Sequence, residues 1–205
     1  MFHRYLLLAA FLFSALAHAA STTELSVTGL ITPSACEPGL SDGGRYDLGK
    51  IAARELNIDQ PTPLPTYNLQ LKITCGALTL LALEPRDNRL GSSSDAEQHA
   101  KFGLGLVNGT IKLGNMALRL DSIVADGALM HPIGSSGPST WAPTRILSPH
   151  FLTAFTPIET VTVPAPIQLL NANLQIAPTI APATTLPLTE EIPIDGSMTL
   201  TVKYL

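Results

Sequence analysis

The chain has 205 residues, 45% of them hydrophobic, 14% charged and 5% aromatic, with a formal net charge of −4. A mildly acidic sequence without a basic cluster gives nucleic acid no electrostatic footing and offers no polybasic helix to a lipid surface. Its apolar content is too high for a disordered chain, and its length suits a single domain with a substantial core.

In chain order, residues 1–4 include Arg4, residues 5–16 are an apolar run, and Ala17-His18-Ala19 has the A-x-A form of a cleavage site. Together they read as a secretory signal peptide over 1–19, leaving a mature domain over 20–205. The run is shorter than the about 20 residues a membrane helix needs, and no later segment reads as a span. Both cysteines, Cys36 and Cys75, lie in the exported part. In an oxidising compartment a single Cys36–Cys75 disulfide is the expectation; a metal site would need clustered histidines that are absent from the sequence around them. Closing a loop of about 40 residues would stabilise the fold by roughly 4 kcal/mol, less any strain.

Residues 24–31 alternate apolar and polar and read as a strand ended by Pro33, followed by a loop around Pro38, Gly39, Gly43 and Gly44. A second short strand is expected over 46–51, then at most a helical turn over 52–56 before Pro61, Pro63 and Pro65. Residues 67–75 give the clearest strand, with Tyr67, Leu69, Leu71, Ile73 and Cys75 on one face. A more apolar strand over 78–83 leads to a polar loop over 84–99. Residues 102–123 suggest hairpins, since Asn108-Gly109 is a strong turn signal. Residues 127–143 read as loop and 145–155 as ambiguous, with Pro149 against a long helix. Strands are expected again over 169–176 and 186–194. The chain ends on a strict alternation over 196–205: Met198, Leu200, Val202 and Tyr204 on one face, Ser197, Thr199, Thr201 and Lys203 on the other. Many short strands between frequent turns indicate an all-β sandwich or barrel.

These residues resemble subunits of bacterial chaperone–usher fimbriae, closest to a group of fimbrial-like exported proteins. The likeness rests on the run from Val27 through Gly29 and Pro33 to Cys36, on Leu48-Gly49-Lys50-Ile51, on the strand ending at Cys75, and on the terminal strand from Gly196 to the penultimate Tyr204. Residues 90–166 match no pilin pattern. The resemblance implies an immunoglobulin-like sandwich that lacks its final strand, leaving a groove beside the terminal strand. A periplasmic chaperone would fill that groove first and another subunit's N-terminal extension later, at an outer-membrane usher. This is β-strand addition, in which backbone hydrogen bonds supply affinity and alternate side chains supply selectivity. Gly196, Met198, Leu200, Val202 and Tyr204 would then line or flank the groove, and Leu25, Val27 and Gly29 would form any donor strand. Few residues precede Leu25 in the mature chain, so it reads as a better acceptor than donor. The implied role is structural, in adhesion or surface attachment, reached through the periplasm and without a cofactor.

Catalysis finds little footing. None of the motifs G-x-S-x-G, H-E-x-x-H or G-x-x-x-x-G-K-[ST] is present. His99, His131 and His150 fall in separate expected loops and read as solvated. Ser135 and Ser136 read as a turn, Asp121 and Asp126 as solvated carboxylates, and Glu190 and Glu191 as turn or edge residues. Asn108-Gly109-Thr110 has the form of a glycosylation sequon but reads as the hairpin turn. Trp141 sits in a Pro/Ser/Gly-rich loop. Exposed, it would stack on a sugar ring and suit a self-complete secreted sandwich that binds carbohydrate or a host surface; the favoured expectation is that it folds back onto the sandwich.

Overall fold

The computed structural model describes residues 26, 28, 35–95, 100–137 and 140–205. The chain divides into two units, Met1–Ile31 and Thr32–Leu205. Of the first only the exposed Ser26 and Thr28 are described. The expected signal peptide and most of the strand expected over 24–31, with Leu25, Val27 and Gly29, therefore lie outside the described residues.

The second unit is all-β. Its main strands are β1 (Cys36–Leu40), β2 (Tyr67–Thr79), β3 (Leu81–Asp87), β4 (Gly114–Ala125), β5 (His131–Ser135), β6 (Leu152–Thr156), β7 (Ile167–Ile180) and β8 (Met198–Tyr204). One sheet runs β1-β2-β7-β4 and ends on Ile146–Leu147; the other runs from Ala142–Pro143 through β5, β6 and β3 to β8. All these pairings are antiparallel. The sheets face each other as a sandwich. Leu69, Leu71 and Ile73 of β2, Leu118 and Leu120 of β4, and Leu170 and Leu174 of β7 meet Leu81, Leu83 and Phe155 of the second sheet in one core. The disulfide joins Cys36 to Cys75, which stand opposite each other on β1 and β2.

Where alternation is strict, strands form where expected. In β2 the inward residues Leu69, Leu71, Ile73 and Cys75 are buried while their neighbours are exposed, and Asn108-Gly109 turns the short pair Leu106–Val107 and Ile111–Lys112. Four expectations need correction. The strand expected over 78–83 is divided between the end of β2 at Thr79 and the start of β3 at Leu81, and β3 runs on to Asp87 into the loop expected over 84–99. Residues 46–51 pair with no strand: Gly49 takes a positive φ of 65° and donates its N–H to the Asp47 carboxylate at 2.8 Å, a local turn that competes with a ladder. Residues 186–194 are irregular, with Pro187 and Pro193 lacking the N–H a ladder needs. Conversely, the loop expected over 127–143 contains β5, reached through a tight hairpin in which Asp126 and Gly127 both have positive φ.

Candidate functional site

The terminal strand β8 is an edge. It pairs with β3 from Met198 opposite Asp87 to Tyr204 opposite Leu81, and no strand among the described residues pairs with its other side. Leu205 donates its N–H to the Leu80 carbonyl at 3.1 Å, and Asn88 donates to the Ser197 carbonyl at 3.0 Å. In an antiparallel ladder, residues of the same parity share the hydrogen-bonding direction. The N–H and C=O groups of Thr199, Thr201 and Lys203 therefore point to β3, and those of Met198, Leu200, Val202 and Tyr204 point to the open edge. Those four residues are also the apolar face. Met198, Leu200 and Val202 are half-buried against the core, whereas the inward residues of the adjoining strand, Leu81 and Leu83, are fully buried. Tyr204 is 43% exposed. The strand is formed, but the described residues cover its apolar face only in part.

A cavity of about 1080 Å³ opens beside the start of this strand. One wall is Gly196, Ser197 and Met198; the opposite wall is the unpaired strap from Gly44 to Ile51. Its floor comes from the first sheet through Leu69, Leu118, Leu174 and Ile176, and Leu104, Met116 and Ile180 also line it. The irregular segment from Leu186 to Ile194 borders it as well. At the far end of β8 the Cys36 N–H donates to the Tyr204 hydroxyl at 3.0 Å and ties β8 to β1 beside the disulfide. Of the residues expected from the sequence to line a strand groove, Gly196 and Met198 line this cavity; Leu200, Val202 and Tyr204 lie further along β8.

Gly196 has a steric reason. A Cβ there would stand 2.8 Å from Leu104 Cδ2, because the chain enters β8 directly over that side chain. The approach is held from both sides. Arg89 donates in a bidentate pair to the Asp195 carboxylate at 2.9 and 2.8 Å, and Asp195 donates its N–H to the Leu104 carbonyl at 3.2 Å. Asn88 Nδ2 donates to the hydroxyls of Ser197 and Thr199.

The strap is anchored where the Tyr46 ring stacks on Tyr67, with centroids 4.4 Å apart and planes 4° from parallel, while the Tyr46 hydroxyl donates to the Pro65 carbonyl at 3.2 Å. Burial first, and then neighbouring Tyr67, raise the Tyr46 pKa above 10.0. Lys50 and Glu191, both almost fully exposed, form a 3.1 Å ion pair between the strap and the irregular segment; at that exposure the pair adds little to stability. Neither Tyr46, Arg89 nor Asp195 stood out in the sequence, because each acquires its partner only through the fold.

The remaining candidates have structural surroundings. Trp141 is half-buried and packs with Leu152 on the small cluster of Ala82, Ile133 and Ala154. The Asp126 carboxylate accepts from the backbone N–H groups of Gln168 and Leu169 at 2.9 and 2.8 Å, fixing the start of β7, while Asp121 is exposed. The Ser135 hydroxyl bonds the Gly137 carbonyl, and Ser136 is exposed. His131 is half-buried at the start of β5, His150 is exposed, and His99 lies outside the described residues. Among the described residues no group of three or more His, Cys, Asp or Glu is placed to hold a metal ion, and no helix is long and apolar enough to cross a membrane.

Residues 25–117 match the family described as "Protein of unknown function (DUF1120)". The chain is similar to that family over those residues. The matched stretch carries the strap and Leu69 of the cavity floor but stops before Leu118, β7 and β8. Two proteins of Escherichia coli (strain K12) are similar across most of the length. The "Uncharacterized protein YhcF" is 26% identical over 229 residues, covering 94% of this chain and 94% of its own. The "Protein GltF" is 29% identical over 234 residues, covering 94% of this chain and 92% of its own.

Proposed function

We propose that the chain is a structural subunit of a chaperone–usher fimbria, assembled by accepting a β-strand from another protein and serving adhesion or surface attachment. It would pass through the periplasm to the cell surface, with a periplasmic chaperone, the outer-membrane usher and other fimbrial subunits as successive partners. The observation that carries this reading is the edge of β8. Met198, Leu200, Val202 and Tyr204 combine a half-covered apolar face with backbone groups that have no ladder partner among the described residues, beside a large cavity. An incoming strand would supply both missing parts: hydrogen bonds to the edge and alternate side chains for the cavity. It would also remove an exposed edge, which otherwise invites aggregation. The activity is assembly and involves no covalent step. The donor candidates Leu25, Val27 and Gly29 lie outside the described residues, and the proposal concerns the acceptor.

Val202→Asp combined with Tyr204→Asp places two charges on the edge where apolar packing is needed. Capture by a fimbrial chaperone co-expressed in the periplasm is expected to be abolished, read by co-purification. Undiminished co-purification of the double variant would contradict the proposal.

A further inference from the structure

A second concavity, of about 590 Å³, lies on the opposite face of the first sheet and is separate from the strand groove. That volume is within the roughly 300–1,000 Å³ of small-molecule pockets. Asn115 of β4 and Thr179 of β7 are register partners on its floor, one residue out of phase with Met116 and Ile180, which face the other cavity. Asn115 is only 3% exposed. Its Nδ2 donates to the Ser94 hydroxyl at 3.1 Å, but its Oδ1 has no hydrogen-bond partner. A buried carbonyl oxygen without a donor bears its full desolvation cost, so a native orphan of this kind calls for a missing group. At the rim Lys101 is engaged by Asp95 at 2.8 Å, while Lys112 adds a further cation. Pro61, Ile111, Ala181 and Pro182 supply apolar wall.

We infer that this concavity binds a saccharide ring bearing a carboxylate, a uronic acid unit. A ring hydroxyl both donates and accepts, which suits the Asn115 Oδ1 acceptor beside the Ser94 hydroxyl. The C–H face of the ring suits the apolar wall, and the carboxylate is drawn to Lys112, since the Asp95 charge is balanced by Lys101. Because the site is on the other face of the sheet, its occupancy does not depend on strand addition.

The test is a titration of the mature chain with glucuronate and, separately, with glucose, followed by backbone and side-chain amide NMR. Glucuronate is expected to bind at millimolar concentration, shifting the Asn115 side-chain amide and the Ser94 and Lys112 backbone signals, and to bind more tightly than glucose. Lys112→Gln, an exposed change that should leave the fold intact, should weaken glucuronate about three- to fivefold, the effect of one solvent-facing charge pair, and leave glucose unchanged. Asn115→Leu should abolish binding of both; if it fails to fold, Ser94→Ala serves the same purpose. No shift at Asn115 with either sugar, meaning that only water satisfies Oδ1, overturns the inference. So does equal binding of glucuronate and glucose that Lys112→Gln does not alter.

Discussion

At Gly196 the strand-forming pattern meets a steric limit. The chain crosses Leu104 so closely that even a methyl group would meet its Cδ2 at 2.8 Å. The obstacle is the end of a flexible side chain, so Gly196→Ala is expected to push Leu104 into the cavity without unfolding the domain. The cost should be about 1–3 kcal/mol, the usual range for overpacking, read by urea unfolding of the mature chain. An unchanged midpoint would show that Leu104 yields freely and that the glycine is not sterically required. Gly196 was legible in the sequence as the start of an alternating strand. Its reason was not, because Leu104 is far away in the chain and meets it only through the fold.

Among the elements, the strap over 44–51 and the edge strand β8 behave differently, although a strand is expected in both. β8 is a strand because nothing in Met198–Tyr204 competes with its ladder to β3. The strap contains Asp47 and Gly49, whose turn diverts the backbone, and it is held by the Tyr46–Tyr67 stack. Such a pair contributes about 0.5–1.5 kcal/mol beyond its buried area. A double-mutant cycle with Tyr46→Leu and Tyr67→Leu, read by urea unfolding, should return a coupling in that range; a coupling near zero would mean the rings merely touch. The raised pKa of Tyr46 fixes the sign of a pH effect. The folded state holds the phenol proton more tightly than the unfolded chain, so this contribution is complete below pH 10.0 and is lost as pH rises through the folded value. Period-two patterning thus made β2 and β8 readable. It failed for the strap and for residues 186–194, where a side-chain turn and two prolines outweigh it, and for β5, where Pro132 and Gly134 interrupt the pattern that identifies strands.

For the whole molecule, the Tyr204 hydroxyl ties the second sheet to Cys36 of the first beside the disulfide, while the start of β8 borders the large cavity. The sequence disclosed one element that borders the cavity, the terminal strand. It did not disclose the floor, which is assembled from β2, β4 and β7, or the latch formed by Arg89 and Asp195. An alternating strand also does not reveal which side of it will lack a neighbour; that follows only from sheet order. The central claim, that this edge accepts a strand, is tested most directly by hydrogen exchange read amide by amide along β8, in the mature chain alone and after capture by a fimbrial chaperone. The amides of Thr199, Thr201 and Lys203 should be protected in both. Those of Met198, Leu200, Val202 and Tyr204 should exchange fast in the chain alone and become protected in the complex. Protection of all seven amides in the chain alone, or no change in those four on capture, would contradict the account.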